Sequence, residues 1–464
     1  MSRNEQNSPF KSSQVQNDVT KPIQPIRAVK GTRDLLPSET SVWQQVEEEA
    51  RRVLATYNFC EIRTPVLEPT ELFARSVGGD TDIVTKEMYT FQDRGEESLT
   101  LRPEATASVV RAYIEHSLYN EGGVQKLYYL GPMFRRERPQ KGRYRQFYQI
   151  GAEVLGSESP AVDVEVLEML FAYLGRLGIQ DFHLLLNSVG CAKCRPEYVK
   201  VLRRALEAVK GQMCADCQRR TGTNPLRVFD CKVEADQPII NTKLPWISDH
   251  LGPECRVHFD AVTAGLNERG IRADFTPRLV RGLDYYTRTT FEITSGALGA
   301  QNSVLGGGRY DGLSEILGGP PTPGFGFAIG EDRLVLAVQQ SLLSQGAGGQ
   351  VAPPDGQPVE VYIIWMGHDA LKAATELARS LRTQGRRVEL PYDLTKLKKA
   401  MGIANKLNAR FAVIIGDQEL ANARYQVKDM STGQQEEVEP DRIAGYLRDR
   451  LAPGEGEGVG SLSR

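Results

Sequence analysis

A chain of 464 residues is long enough for two or three domains with ample apolar cores. The formal net charge of −2 gives no sign of nucleic-acid binding, so an RNA-binding surface would have to come from local charge patches. The seven cysteines, an odd number, fit a reducing cytosol. Because no apolar run approaches the ~20 residues of a membrane span, we expect a cytoplasmic location and no membrane partner.

The N-terminal part of the chain predicts a tail, a helix and a short strand. Residues 1–25 are rich in Ser, Gln, Asn and Lys without apolar period, which predicts a disordered tail. Apolar residues at helical spacing follow, with Ser38 or Thr40 as the N-cap. Cys60–Leu67 then predicts a single short strand, in which Pro65 is typical of an edge.

A strand-to-helix junction is predicted around residues 101–106. Pro103 suits the first turn of a helix that holds Ala105 to Ile114. Glu104 is then a first-turn acid, which the helix dipole favours without any further role.

Two alternating strands joined by a polar loop, Arg138–Arg143, are predicted between residues 126 and 156. One face is apolar, and the other carries Gly131 and Gly151 where a strand normally has side chains. Interior strand glycines often mark places where a ligand or another backbone comes close. This face therefore predicts the floor of a pocket for a small, charged ligand. Its polar side chains are those of Arg135, Glu137, Gln149 and Glu153.

Residues 191–255 form an insert that carries two C-x2-C pairs. The pairs, Cys191 with Cys194 and Cys214 with Cys217, are separated by 19 residues. That spacing fits a four-thiolate structural zinc site. Two pairs of free thiols are the alternative, and the spacing leaves both open.

The segment after the insert combines cations, glycines and tyrosines. Arg281–Thr287 places two adjacent tyrosines before a strand, and because strand neighbours face opposite ways, we expect only one of them to face a ligand. A glycine-rich turn at 307–312 leads to a strand and a helix with Arg333 in its first turn. A helix N-terminus with an arginine makes an anion site.

The C-terminal part follows a linker at 341–357 that is rich in Gly, Gln and Pro. Its βαβαβ order predicts a small α/β domain in which helices cover a mixed sheet. Between residues 379 and 410 the domain carries nine cations against two acids. A solvated helix face is the common meaning of such a run, and attraction to a phosphate backbone is the alternative.

Several of these segments match one family. Phe134–Glu137 fits the F-R-x-E core of class II aminoacyl-tRNA synthetases, and Arg135–Phe147 closely resembles the histidyl-tRNA synthetase family. The resemblance covers roughly residues 26 to 450, so chance is a poor explanation. Further matching blocks are Leu101–Thr106, Arg281–Thr287, Gly307–Gly312 and Gly324–Leu334.

The resemblance implies a fold and a domain plan. We expect an α+β catalytic domain built on an antiparallel sheet at 26–340, with the cysteine-rich insert at about 191–255. The α/β domain at 358–452 is then the anticodon-binding domain, and 453–464 is a second disordered tail. Pro65 lies in the motif that forms the family's dimer interface, so the expected homodimer rests on resemblance alone.

The resemblance also implies a two-step ligase. L-histidine would react with ATP, with Mg²⁺ on the released pyrophosphate, and then pass to the 3′ end of tRNA(His). The substrate carboxylate is already ionised at neutral pH and needs no protein base. It needs in-line positioning and cations where charge builds up on the phosphate, and the expected catalytic residues are Arg135, Arg281 and Arg333.

Particular contacts follow from the match. Arg135 is assigned to the α-phosphate and the substrate carboxylate, Glu137 to adenine, and Arg333 to the γ-phosphate. Arg281, peculiar to the histidyl branch, would sit at the α-phosphate in place of a further metal ion. The residues expected near the acceptor end of the tRNA are Arg138, Gln140, Lys141 and Arg143.

Selectivity for histidine has a physical basis. A neutral imidazole offers one donor and one acceptor, so a complementary site needs an acceptor and a hydroxyl that can donate. Glu153 and Tyr286 are that pair. From the match, Glu104 and Thr106 would bind the α-ammonium group. The full set of expected histidine-binding residues is Glu104, Thr106, Arg135, Gln149, Glu153, Arg281, Tyr285, Tyr286 and Tyr310.

Two other functions remain as alternatives. One is the non-catalytic relative that regulates histidine biosynthesis, which lacks the anticodon domain and the block at Arg281–Thr287. The other is an RNA-binding module without aminoacylation. Sibling synthetases for glycine, proline and threonine share the F-R-x-E core, and the Arg281 block discriminates against them.

Overall fold

The computed structural model describes residues 25–79, 81, 83–140, 142–296, 302–344 and 359–451. The predicted tails and most of the predicted linker lie outside these ranges, apart from Pro25 at the N-terminal end and residues 341–344 at the start of the linker. No helix in the described part of the chain is long and apolar enough to cross a membrane.

The N-terminal part is a helix-covered sheet with a helical insert. Its helices are α1 (Pro37–Thr56), α2 (Thr70–Val77), α3 (Thr106–Glu115), α4 (Pro160–Arg176), α5 (Arg195–Val209), α6 (Ala215–Thr223), α7 (Gln237–Lys243), α8 (Pro253–Glu268), α9 (Leu313–Ile316) and α10 (Glu331–Ser344). Its strands are β1 (Cys60–Glu61), β2 (Leu67–Pro69), β3 (Tyr89–Gln92), β4 (Ser98–Leu101), β5 (Gln125–Phe134), β6 (Gln146–Leu155), β7 (Phe182–Ser188), β8 (Ala273–Phe275), β9 (Thr287–Ser295), β10 (Ser303–Arg309) and β11 (Gly324–Gly330).

The main sheet has eight strands in the order β1-β5-β6-β11-β10-β9-β7-β8. The six inner strands are antiparallel, and a short parallel strand pairs at each edge. Apolar side chains on one face pack against α1, α4, α8 and α10. The predicted antiparallel sheet is confirmed, and its other face is left for a site.

Local features at the N-terminal end differ from the prediction. Helix α1 begins at Pro37, and neither Ser38 nor Thr40 is its N-cap, because proline fits the first turn and starts the helix earlier. The predicted single strand Cys60–Leu67 is also wrong. β1 joins the main sheet, whereas β2 pairs with β4 in a separate three-stranded sheet.

The predicted hairpin is β5 and β6, with ten paired positions. β5 ends at Phe134, so Arg135 and Glu137 lie in the connection and not on the strand as predicted. The connection turns through Gly142, whose φ is +71°, and Gln140 and Arg143 exchange backbone hydrogen bonds across it.

The insert is helical and has its own apolar cluster, which includes Tyr198, Leu206, Val228 and Ile240. Helices α5, α6 and α7 alternate there with short 3₁₀ turns.

The elements of the C-terminal part are β12 (Val361–Trp365), α11 (His368–Thr383), β13 (Val388–Glu389), α12 (Leu397–Lys406), β14 (Phe411–Ile415), α13 (Asp417–Ala421), β15 (Tyr425–Asp429), β16 (Gln435–Val438) and α14 (Ile443–Arg450). They form a five-stranded mixed sheet in the order β13-β12-β14-β15-β16, with apolar clusters on both faces. β12 is parallel to both of its neighbours, and the remaining pairs are antiparallel. This confirms the predicted small α/β domain.

Candidate active site

A cavity of about 270 Å³ lies on the face of the main sheet opposite α1, α4, α8 and α10. Its lining brings together Arg135, Arg281 and Arg333, which are far apart in sequence, with Glu137 and Gln149. The volume is close to the lower end of the range for small-molecule sites, roughly 300 Å³. Three guanidinium groups in one concave site favour a ligand with several negative charges.

Arg135 is fixed at the end of β5 by two contacts. Its Nε donates to the carbonyl of Pro103 at 2.8 Å, and its guanidinium carbon lies 5.4 Å from the centre of the Phe147 ring. Its Nη1 is 3.9 Å from Glu137, whose carboxylate also pairs with Arg143. The guanidinium group therefore keeps N–H groups free to meet a ligand.

Arg281 lies across β10, where Gly306 has no side chain. A Cβ at Gly306 would come within 2.5 Å of the Arg281 guanidinium group. Its Nη1 pairs with Glu292 at 3.1 Å. Burial lowers the pKa of Arg281, but Tyr286 and Glu292 outweigh that effect and hold the pKa above its ordinary value.

Arg333 is the third residue of α10, as predicted for a first-turn cation. Its Nη1 donates to the carbonyl of Ser303 at 2.9 Å. Burial, followed by repulsion from Arg143, lowers the pKa of Arg333. An added anionic group would relieve that repulsion.

A buried polar cluster centred on Glu153 lies on the same sheet face. Thr106 Oγ1 donates to one carboxylate oxygen at 2.7 Å, and the Tyr310 hydroxyl donates to the other at 2.6 Å. Glu153 has no solvent exposure. Burial raises its pKa to about 8, although the hydrogen bonds from Tyr310 and Thr106 oppose the shift.

Glu104 serves as a helix cap. Its carboxylate accepts from the backbone N–H of Thr106 at 2.7 Å and of Ala107 at 3.0 Å, at the start of α3. Burial raises the pKa of Glu104, while these hydrogen bonds and nearby Arg135 oppose the shift. Because α3 begins at Thr106, Pro103 and Glu104 both precede it, and the prediction of Glu104 as a first-turn acid is wrong. Its carboxylate still satisfies two N–H groups at the start of the helix.

The two adjacent tyrosines do not face opposite ways. Tyr285 and Tyr286 are both buried in one cluster with Tyr310, and their ring centres are 4.8 Å apart. The prediction that only one would face the site is wrong because the pair precedes β9 and lies in a turn, where the two-residue period of a strand does not apply. Tyr286 adjoins Arg281, and Tyr285 adjoins Thr106.

The glycines of the hairpin accommodate protein side chains. A Cβ at Gly131 would lie 2.7 Å from Arg102 Nη2, and one at Gly151 would overlap the Tyr129 hydroxyl. The prediction that these two positions admit a ligand is therefore wrong. Tyr129, buried beside Glu153, is a site residue that the sequence reasoning missed. The available signal was its register directly opposite Gly151.

The loop assigned to the acceptor end of tRNA is at the surface. Arg138, Gln140 and Arg143 are exposed, and Lys141 lies outside the described residues. Arg143 also lines the cavity, so the loop borders the site.

The four predicted zinc ligands do not meet. Cys191 and Cys194 cluster with Cys255, while Cys214 and Cys217 cluster with Cys231 and Asp236. A single four-thiolate site is therefore wrong, because the helix between the pairs, α5, leads each pair to a different part of the insert.

An antiparallel sheet that carries the F-R-x-E segment into a cavity with three arginines defines the catalytic domain of a class II aminoacyl-tRNA synthetase. Two family models match the chain: "Histidyl-tRNA synthetase" over residues 31–334, and "Anticodon binding domain" over residues 360–450. The chain belongs to the histidyl-tRNA synthetase family.

Similar proteins agree over nearly the full length. A histidine–tRNA ligase of Solibacter usitatus is 58% identical over 91% of this chain and 99% of its own length. A histidine–tRNA ligase of Koribacter versatilis is 54% identical over 92% of this chain and 97% of its own length. The crystal structure of apo Staphylococcus aureus histidyl-tRNA synthetase is 38% identical, covers 91% of this chain and 100% of its own, and superposes with a TM-score of 0.76.

Proposed function

We propose that this chain is a histidine–tRNA ligase, which activates L-histidine with ATP and transfers it to the 3′ end of tRNA(His). The observation that carries the proposal is the pairing of two sites on one sheet face. A buried carboxyl, Glu153, is held by Thr106 and Tyr310. Beside it, three arginines line one cavity.

In the activation step, a histidine carboxylate oxygen attacks the α-phosphorus of ATP. A bond forms between them, the bond from the α-phosphorus to the bridging oxygen breaks, and pyrophosphate leaves with that electron pair. Arg135 and Arg281 meet the charge that builds on the α-phosphate, and Arg333 holds the γ-phosphate end. No proton has to be moved, because the nucleophile is already ionised.

The family implies ATP with Mg²⁺. This ion is usually held by one or two carboxylates together with the phosphates of the substrate. Glu292, which pairs with Arg281 at the site, fits that pattern, while Glu137 is the residue proposed to contact adenine. The ion would supply positive charge to the phosphates.

Recognition of histidine rests on Glu153 and the tyrosines around it. The Glu153 carboxylate would accept the imidazole N–H, and the Tyr286 hydroxyl would donate to the other ring nitrogen. Gln149, Tyr285 and Tyr310 complete the pocket, with Glu104 and Thr106 toward the α-ammonium group. An analogue that leaves these buried groups unpaired is rejected by roughly 10⁴-fold.

Binding of tRNA would use both domains. The loop with Arg138, Gln140 and Arg143 borders the catalytic cavity and suits the acceptor end. In the C-terminal domain, Tyr392 is 95% exposed, and three exposed lysines follow it. An exposed aromatic ring next to cations suits unpaired bases and phosphates, which is the composition of an anticodon contact. The lysines are Lys396, Lys398 and Lys399.

The proposal is tested by amino-acid-dependent ATP–pyrophosphate exchange with all twenty amino acids. We expect exchange with histidine and background rates with the others. Glu153→Ala should abolish the exchange while the protein stays folded. Glu158→Ala, a change at a side chain that is 75% exposed, is the matched control. Unchanged exchange in Glu153→Ala would remove this account of specificity.

The regulatory alternative is less supported, because both the anticodon domain and the Arg281–Thr287 block are present in this chain.

The proposal also includes the domain division, the oligomeric state and the location of the protein. We propose that residues 341–357 separate the catalytic domain from the anticodon-binding domain, and that the protein is a cytoplasmic homodimer. The two matched family models support the domain division. Sedimentation analysis tests the dimer.

A further inference from the structure

The insert is a small unit with an unusual share of the cysteines. Six of the seven cysteines of the chain lie between residues 191 and 255. All of them are free thiols, and they fall into the two clusters described above. Small units with a limited apolar core commonly need a disulfide or a metal to hold them.

The distances between the sulfur atoms separate these two possibilities. Cys191 Sγ and Cys194 Sγ are 3.8 Å apart, and Cys194 Sγ and Cys255 Sγ are 3.7 Å apart. In the other cluster Cys214 Sγ and Cys231 Sγ are 3.9 Å apart. A disulfide bond is about 2.05 Å long. Thiolates at the corners of a zinc tetrahedron, with bonds of about 2.3 Å, lie about 3.8 Å from one another.

Backbone groups stabilise negative charge on these sulfur atoms, as thiolate ligands of a cation require. Cys194 and Cys214 each occupy the N-cap of a helix, α5 and α6, where the helix favours a negative charge. Backbone N–H groups also donate to sulfur: that of Cys191 to Cys194 at 3.2 Å and that of Val233 to Cys231 at 3.4 Å. Such contacts orient thiolate ligands around a metal.

Asp236 completes the second cluster. Its Oδ2 lies 3.2 Å from Cys231 Sγ, and its carboxylate accepts from the backbone N–H of Cys214 at 3.0 and 3.2 Å. The hydrogen bonds from the backbone N–H of Cys214 thus orient the carboxylate, and the sulfur atoms of the cluster lie beside it. Three thiolates and one carboxylate form a closed four-ligand set, the arrangement of structural zinc.

We propose that the insert binds two zinc ions, one through Cys214, Cys217, Cys231 and Asp236, and one through Cys191, Cys194 and Cys255. Thiolate ligands favour zinc over hard cations such as the Mg²⁺ that accompanies ATP. The three-cysteine site has a fourth position for water, because Cys191 lines an open cavity of about 1160 Å³ beside Lys193 and Glu254.

Both sites adjoin arginines that hold the segment carrying Arg281 and Tyr286. Arg195, next to Cys194, donates to the carbonyl of Tyr286. Arg227, between Cys217 and Cys231, donates to the carbonyl of Gly282 at 2.5 Å. Arg278 donates to the carbonyl of Cys231 at 3.2 Å. These three arginines are positioning residues, so loss of metal should loosen the proposed histidine pocket more than the nucleotide site.

The test is the zinc content of the full-length protein, purified with reductant, dialysed against zinc and measured by mass spectrometry of the metal. We expect two zinc ions per chain. Cys231→Ser and Cys255→Ser should each lose one, and Cys60→Ser, at an exposed cysteine outside both clusters, should keep two. Because the wild-type count needs no variant, a variant that fails to fold does not weaken the test.

Fewer than two zinc ions per chain in the wild type, or a full set of disulfides by thiol counting, would overturn the proposal. The link to the pocket rests on the proposed function and has its own readout. Removal of zinc with a chelator, followed by removal of the chelator and return of Mg²⁺, should raise the KM for histidine several-fold and the KM for ATP by less. Two bound zinc ions with no exchange in any condition would contradict the proposed function and leave the metal sites standing.

Discussion

Glycines opposite functional side chains are the feature that determines this site at the scale of single residues. Gly306 leaves room for Arg281, Gly151 for Tyr129, and Gly326 for the Glu153 carboxylate. A sheet face normally filled by its own side chains thereby admits groups from other segments. The space for the site on this face of the sheet therefore exists because these strand positions are glycines, which have no Cβ atom.

Gly326→Ala should disrupt the Glu153 cluster. The new Cβ would overlap Glu153 Oε2 and lie 2.7 Å from the carbonyl of Ala152, which is backbone and cannot move aside cheaply. We expect a loss of about 1–3 kcal/mol in the free energy of unfolding, the typical cost of overpacking. Urea denaturation measures it, and histidine binding should be lost as well.

Gly330→Ala, on the same strand, is the matched control. Its Cβ would meet nothing within 4 Å. The free energy of unfolding should stay within about 0.5 kcal/mol of the wild type. Equal destabilisation by the two substitutions would show that the loss comes from β11 and not from contact with Glu153.

At the scale of elements, α4 is tied to the sheet by a buried ion pair. Asp163 on α4 pairs with Arg309, at the end of β10, at 2.7 Å, and neither side chain has any solvent exposure. Arg309 also donates to the carbonyls of Ser157 and Ser159. It precedes Tyr310, so this anchor helps to position the hydroxyl that contacts Glu153.

Arg309→Ala should destabilise the protein by about 3–5 kcal/mol, because it removes the guanidinium partner of a buried carboxylate. Among the described residues, Asp163 would keep only Thr289 and His258, whose Nε2 lies 3.6 Å from its Oδ2. Burial raises the pKa of Asp163 to about 6 even with Arg309 opposing the shift. Without Arg309 the folded-state pKa rises further above the unfolded one, so stability falls as pH rises through it. The loss should therefore be smaller at pH 5 than at pH 8 in denaturant titrations.

Arg269→Ala, which removes a second ion pair to α4, is the comparison. Its pair with Glu168 on α4, at 2.8 Å, is 41% and 43% exposed. Exposed pairs of this kind contribute about 0–1 kcal/mol. A loss as large as that in Arg309→Ala would contradict the assignment of the anchor to burial.

At the scale of the whole molecule, two separate sheets carry the two parts of the proposed reaction. The eight-stranded sheet holds the cavity and the Glu153 cluster, and the five-stranded sheet has its own apolar clusters. Such an arrangement allows the amino acid to be activated on one domain while tRNA is held by both.

A chain that ends at residue 344 should therefore keep histidine-dependent pyrophosphate exchange and lose charging of tRNA. We expect charging at limiting tRNA to fall at least about tenfold, the equivalent of 1.4 kcal/mol of binding. Exchange and aminoacylation measured side by side check this. If both fell together, the C-terminal domain would be needed for the catalytic fold itself.

Much of the molecule follows from the sequence alone. Contiguous blocks such as Phe134–Glu137 and Arg281–Thr287 indicated the class of fold and the arginines of the cavity. The order of apolar segments predicted the C-terminal sheet, and the antiparallel sheet of the catalytic domain was expected from the resemblance. These inferences succeed because period and motif are local properties, which a short stretch of chain expresses without its partners.

The partners of each group were decided only by the tertiary structure. Cys231 and Cys255 join clusters that the two C-x2-C pairs did not reveal, and Tyr129 reaches Glu153 only through the space above Gly151. Tyr285 and Tyr286 share one cluster because a turn, and not a strand, carries them. In the first two cases contact depends on how distant segments cross in space, and spacing along the chain does not encode that crossing. In the third, pairing with β10 fixes where β9 begins, at Thr287, and that pairing is also a contact between distant segments.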